Sequence, residues 1–412
     1  MKDNDGEEKE DRNVFKLLSK LRKEKLFVTN EKLNIQKLNK AIKKKTDILI
    51  ESTWITIKQR LYLLTQREFT SQNYEHIKAI VNSEFVGAKT LLGFQTAVKI
   101  EHLLQSLRTQ PEQLARWLFL GEQLSDEPVQ NLNVLQSVVT GLYSSCIFPE
   151  DTNYMLKLLY ELAKLQLIKS ENPRRMLKQG TCSFKNLYFV FNEVLPTAKF
   201  FLSAALELPI LRLSSYKESY LDVDPDKTLM RYKQSENSLK SEFKDVQEYR
   251  SEVIRKLAEF TNYFICSLRE NVYSFPKSIA WIVYQISKIT TKSFGSKEAN
   301  AIVTELIFTL YICPAIVDPE QYCICDAQIT DVTQHNLMQV GQILQVLALN
   351  KFESPDARFS DIYNLLDNDV VCNFMEDILF NLEHDEAPPV DVTPTIVRDT
   401  ALLAEDELNQ LV

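Results

Sequence analysis

Residues 153–168, NYMLKLLYELAKLQLI, set Met155, Leu158, Leu159, Leu162 and Leu165 on one stripe. This is the spacing of an α-helix that buries one face. The same period recurs downstream. In 252–272, EVIRKLAEFTNYFICSLRENV, it runs through Val253, Leu257, Phe260, Phe264 and Leu268. Upstream, Phe15, Leu18, Leu21 and Leu26 keep roughly helical spacing, and Leu33, Ile35, Leu38 and Ile42 continue it. Strand-like alternation is scarce and no Asn-Gly or Asp-Gly hairpin turn separates apolar runs, so the expected fold class is all-α. Turn-forming stretches such as IFPEDTN, KSENPRR and VDPDKT punctuate the helices, and no solenoid-like repeat is visible.

Composition narrows the chemistry. The chain has 412 residues, 45% of them hydrophobic and 25% charged, the balance of a folded protein. Its eight glycines are too scattered for a GxGxxG turn, and no GxxxxGK[ST] exists, which excludes glycine-rich phosphate cradles. Neither HExxH nor GxSxG occurs. Seven cysteines and a polar start favour a reducing compartment. Cys323 and Cys325 form the one close pair, with Cys313 upstream and no histidine at finger spacing, so no metal site is expected. Cys182 reads either as a nucleophile at a helix start or as a buried packing residue.

Charge is unevenly spread. The net charge of −8 argues against a general nucleic-acid binder, yet Lys16 to Lys45 holds eleven Lys/Arg against Glu24 and Glu31. That stretch is either a solvated helix face or a docking surface for an acidic partner or anionic lipid. The organisation expected is a disordered polar start (1–13), a basic helical extension (14–68), a helical domain (69–382) and an acidic, weakly ordered tail (383–412), within which Ala401–Leu411 is a candidate short helix.

Two segments break the pattern. In 170–202, SENPRRMLKQGTCSFKNLYFVFNEVLPTAKFFL, a basic loop precedes a helix with Thr181 as N-cap and Phe184, Leu187, Tyr188 and Phe191 on its apolar face. Arg174, Arg175, Lys178 and Gln179 then lie on an exposed loop delivered by a rigid helix, a common arrangement for acting on a partner. In 306–322, LIFTLYICPAIVDPEQY, an apolar helix is expected to stop at Pro314 and Pro319.

Together these segments resemble the Ras GTPase-activating domain. ICPAIVDPE matches that family's F-L-R-F-I-x-P-A-I-x-x-P signature, and HNLMQVGQILQVLA, from His335, matches its following R-x-N-L-x-x-V/I-A-K helix. NPRRMLKQGTCSF, FVGAKTLLGF and YICPAIVDPEQY are similar to the branch that joins such a domain to a C-terminal exchange domain for early-endosomal Rab GTPases. The likeness runs from about residue 14 to residue 380. The Rab-exchange domain is not in this sequence, and Rab activation is not assigned to it.

The resemblance implies an all-helical groove for a GTP-loaded Ras-family GTPase, with GTP and Mg²⁺ carried by that partner and no cofactor of its own. It implies a GTPase activator rather than an enzyme with its own active site, located in the cytoplasm or at the surface of the plasma membrane or endosomes. The family's finger arginine falls on Gln179, the arginine that braces the finger on Leu310, and the lysine of the A-K pair on Gln342. Each is a cation replaced by a neutral side chain, which cannot reproduce a guanidinium fork. Lys178 is the candidate surrogate finger, and Arg174, Arg175, Gly180, Thr181, Leu310, Pro314, Ala315, Asn336 and Gln342 are the candidate GTPase-binding positions. The expected function is a Ras-GAP-like regulator in endocytic or signalling control with weakened or lost stimulation. The alternative is a binding-only scaffold or adaptor in endocytic trafficking.

Overall fold

The computed structural model describes residues 4–66, 70–124, 128–179, 182–216, 219–234, 243–326, 328–353, 356, 359–367, 369–380, 388, 398 and 400–411. Every regular element among them is helical. The chain divides into two compact units, residues 1–53 and 54–412.

The first unit is a single helix, the leading part of α1 (Asn4–Thr65). Helix begins at Asn4, inside the 1–13 start expected to be disordered. From Asn13 to Lys45 every side chain is exposed.

The second unit holds the core. Its principal helices are α2 (Pro111–Leu124), α3 (Pro128–Ser137), α4 (Pro149–Gln166), α5 (Pro173–Gln179), α6 (Ser183–Val194), α7 (Pro196–Ser214), α8 (Val246–Glu270), α9 (Lys277–Phe294), α10 (Ser296–Thr304), α11 (Asp331–Leu349), α12 (Val370–Phe380) and α13 (Glu405–Leu411). Four of the five stripe residues are buried in α4: Met155, Leu158, Leu159 and Leu162 are inaccessible to solvent, and Leu165 is half-buried. In α8, Val253, Leu257, Phe260, Phe264 and Leu268 are buried likewise.

Helix α10 does not stop at Pro314. It passes through a π-helical stretch, Glu305–Ile312, and resumes as α-helix over Cys313–Val317. The Cys313 N–H reaches back five residues to the Phe308 carbonyl. A proline inside regular α-helix clashes with the carbonyl four residues earlier and lacks the N–H that would bond it. The wider π turn just before it relieves both, so the helix ends at Val317 instead. The run 296–317 is long and apolar enough to cross a bilayer by composition, but most of it is buried in protein. Helix α11 lies close against its end: a Cβ on Gly341 would sit 2.9 Å from Val317 Cγ2.

In the tail the candidate helix of 401–411 is present over Glu405–Leu411, and Arg398 and 400–411 are packed onto the second π-helical stretch, Val138–Leu142, where weak order was expected. The Arg398 guanidinium donates to the carbonyls of Gly141 (3.0 Å) and Leu142 (2.6 Å) and pairs with Asp151 (2.9 Å). It thereby bonds carbonyls at the end of the π turn, where the chain leaves helix through three positive-φ residues, Ser144 to Cys146. Glu407 of α13 is buried, ion-paired with Lys58 and accepting from the Thr140 hydroxyl at 2.9 Å. The remainder of 383–412, apart from Pro388, lies outside the described residues.

Candidate functional site

The finger segment has a buried base and an exposed tip. Its base, α6, sends Phe184, Leu187, Tyr188 and Phe191 wholly into the core, the face expected from spacing. Thr181, the expected N-cap, and Gly180 lie outside the described residues. Cys182 occupies the N-cap position with extended backbone but makes no side-chain cap. The cap comes from other helices. The Glu122 carboxylate of α2 accepts the Ser183 N–H at 2.7 Å and the Ser183 hydroxyl. Gln166 of α4 accepts the Phe184 N–H at 2.7 Å and donates to Glu122 at 2.7 Å. A carboxylate here satisfies orphan amide donors and lies at the positive end of the helix dipole. Cys182 itself is buried, and burial pushes its thiol up to about 11, which removes the nucleophile reading.

The tip is α5, a short helix where a loop was expected. Asn172-Pro173 explains it: the Asn172 carboxamide oxygen accepts the Arg175 N–H at 2.9 Å, and proline suits the first helical turn. Arg174 is not free on this surface. Its guanidinium donates twice to Glu305 Oε1, at 2.9 and 2.8 Å, and pairs with Glu353. Lys178 Nζ stands 3.3 Å from Glu353 and 3.5 Å from Glu305. Arg175 and Gln179 are exposed. Burial raises the Glu305 carboxyl above the usual glutamate range even against Arg174, because its side chain is only 2% accessible. For Glu353, burial is outweighed by Arg174 and Lys178, and its carboxyl is held low.

Glu305 opens the π stretch of α10, and Glu353 follows α11 by one turn, with its N–H on the Leu349 carbonyl. The finger segment is thus set against both signature helices. Tyr188 adds a hydrogen bond to the Leu306 carbonyl at 3.4 Å, and Tyr311 bonds the Ala198 carbonyl at 2.8 Å. Leu310 and Pro314 are half-buried at the edge of this region, and Gln342 is exposed.

Two expected binding positions face inward instead. Ala315 has no accessible surface. Asn336 is buried and bonded within the chain, accepting from the Leu221 N–H (2.8 Å) and donating to the Ser219 carbonyl (3.0 Å). Gln339 accepts from Val223 N–H at 3.0 Å beside it, so these amides pin the 219–223 segment to α11. They shape the surface and do not form it.

Residues 158–349 match the family described as GTPase-activator protein for Ras-like GTPase. That span takes in α5, α6, the π turn and the Asn336 helix, in the order of the signature segments. This region is a Ras-GAP domain. The chain is also 37% identical over 92% of its length to GTPase-activating protein and VPS9 domain-containing protein 1 of Xenopus laevis, and 36% identical over 92% to the human protein of that name. It is 30% identical over 82% of its length to receptor-mediated endocytosis protein 6 homolog of Drosophila pseudoobscura pseudoobscura. These alignments cover 27%, 26% and 20% of the respective relatives, so the chain spans about a quarter or less of the length of each. Outside the matched residues 158–349 lie Glu122, which caps α6, and Glu353, which holds Arg174 and Lys178. Sequence reading missed both, because nothing in local spacing marks a carboxylate that bonds a residue 61 or 175 positions away.

Proposed function

We propose that this chain binds a GTP-loaded Ras-family GTPase through the surface where α5, the π turn of α10 and the exposed side of α11 adjoin, and stimulates hydrolysis weakly or not at all. The observation that carries the reading is the state of the tip. Gln179 is exposed at the end of α5, next to the buried helix α6; of the three cations on α5, Arg174 and Lys178 are held by Glu305 and Glu353, and Arg175 is exposed one turn before Gln179. A finger arginine is worth ~10³–10⁵ in rate, the figure established for Ras proteins with their activators, or about 4–7 kcal/mol of barrier. Glutamine has no charge to offer the phosphoryl group, and Lys178 would need both to leave its carboxylates and to shift by about one residue, ~3.3–3.6 Å. The backbone carbonyl at 179 survives any side-chain change and supports a residual effect through the partner's own glutamine.

Single-turnover GTP hydrolysis by a panel of Ras-family proteins, with pull-downs on their GTP-loaded forms, tests this. The expected result is GTP-dependent binding with acceleration below about tenfold. Acceleration of ~10³-fold by the unmodified chain overturns the reading of Gln179, and absence of binding to every member overturns the partner class.

The kinship to receptor-mediated endocytosis proteins supports work at endocytic membranes from the cytoplasmic side. Lys16–Lys45 is then the stretch placed to meet anionic lipid, a contact that weakens between low and physiological salt.

A further inference from the structure

In the first unit, apolar residues recur at intervals of seven: Val14, Leu21, Val28, Ile35, Ile42 and Leu49. All lie on one continuous helix, and each is about half exposed or more, from 49% at Ile42 to 60% at Val28. The a position is apolar at six successive places, the d position only at Leu17 and Leu38, so the seam rests on a and on the charges beside d. The period is informative in itself. A seven-residue repeat drifts ~20° per heptad on a straight α-helix, so over five steps this seam turns by about 100°. A flat membrane needs a face fixed at 3.6 residues per turn. A seam at 3.5 is straightened only by winding around another helix.

The flanking charges identify that helix. With the seam as position a, the d positions read Leu17, Glu24, Glu31, Leu38 and Lys45. The two glutamates are immediately followed, at e, by Lys25 and Lys32. In a parallel, in-register pair a d side chain enters a hole bordered by the e residue of the other helix. Glu24 then meets Lys25 of the second copy and Glu31 meets Lys32 of the second copy, in both directions across the axis, which offsets the like charge of the two glutamates that face each other in each of these layers. Seven of the eleven cations between Lys16 and Lys45 fall at b, c and f, pointing away from the seam, and from Asn34 onward the e and g positions carry no charge. Valine and isoleucine, which hold four of the six a positions, favour two parallel strands.

We infer that residues 14–49 form a parallel, in-register coiled coil with a second copy of this chain. The dimer carries two Ras-GAP domains, so under the function proposed above it binds GTPases concentrated on one surface with avidity.

Light scattering on the eluted 412-residue chain across a dilution series should give about 95 kDa, twice 47.7 kDa, at high concentration. Val28→Asp with Ile35→Asp should return 47.7 kDa while helical circular dichroism of the chain and its melting are kept, since both residues are exposed in the single chain. Two charge pairs of equal size then test the register. Lys25→Glu with Lys32→Glu should weaken the dimer about tenfold, because each glutamate loses its cation. Lys40→Glu with Lys44→Glu, at outer positions, should leave it unchanged or tighter. A monomer at every concentration overturns the inference, as does a dimer indifferent to Val28→Asp and Ile35→Asp. Equal weakening by the two lysine pairs overturns the register. A monomeric chain whose binding to phosphatidylserine vesicles is lost on Val28→Asp with Ile35→Asp assigns the apolar seam itself to lipid and overturns the inference.

Discussion

Helices α5 and α6 are neighbours in the chain and are held by opposite means. Helix α6 is fixed by burial: four large side chains have no accessible surface, and its first turn is capped by Glu122 and Gln166. Helix α5 buries Pro173 and Leu177 and is otherwise anchored by charge, through Arg174 on Glu305 and Lys178 on Glu353. The difference shows that the placement of the buried helix α6 does not depend on the side chain carried at the exposed end of α5. Exchanging an exposed side chain at 179 costs the core nothing, so the delivery of the loop and the identity of the residue delivered are separable.

That separation is most sharply broken by Gln179→Arg. If only the charge is missing, the variant should accelerate hydrolysis by a bound Ras-family protein ~10³-fold over the unmodified chain in single turnovers. No gain would mean that the α5 geometry is wrong as well. The base should respond in stability rather than rate. Phe184→Ala is expected to cost about 3–5 kcal/mol by chemical denaturation, and a loss under about 1 kcal/mol would contradict its role as the rigid half. Arg174→Ala should cost about 2–3 kcal/mol, less than a fully abandoned buried charge, because Lys178 stays 3.5 Å from Glu305. Hydrogen exchange confined to 173–179 should accelerate with it, and unchanged exchange there would remove the anchoring role.

Glu353→Gln should have the smallest effect, below about 1 kcal/mol, since Glu353 is about half exposed. Its sign with pH is defined. The folded carboxyl is held low, so its contribution is present above the ordinary glutamate range and is lost as pH falls through the folded value. Glu305, held high, works in the opposite sense and is common to both proteins, so the difference in Tm between wild type and Glu353→Gln should shrink on acidification. A difference independent of pH would contradict the pairing.

How much of this was legible beforehand follows from range. The α6 stripe could be read because burial of a helix face is written at three- and four-residue spacing. That α5 is a helix was also readable in Asn172-Pro173, but the basic composition suggested a loop. The freedom assigned to Arg174 was misjudged because its partner lies 131 residues away. Asn336 and Ala315 carried the signature, yet spacing cannot tell a residue that shapes a surface from one that forms it. Pro314 ends an α-helix by local rules, and only the π turn ahead of it let the helix go on.

By itself the sequence determined the all-helical class, the apolar faces, the Ras-GAP kinship and the neutral side chain at 179, since each depends on residue identity and short-range period. The tertiary structure alone decided which carboxylates capture the finger cations, which helices cap α6, and that the tail returns to cover the Val138–Leu142 turn. Those pairings join residues distant in sequence, and they exist only once burial of the apolar faces has brought the helices together.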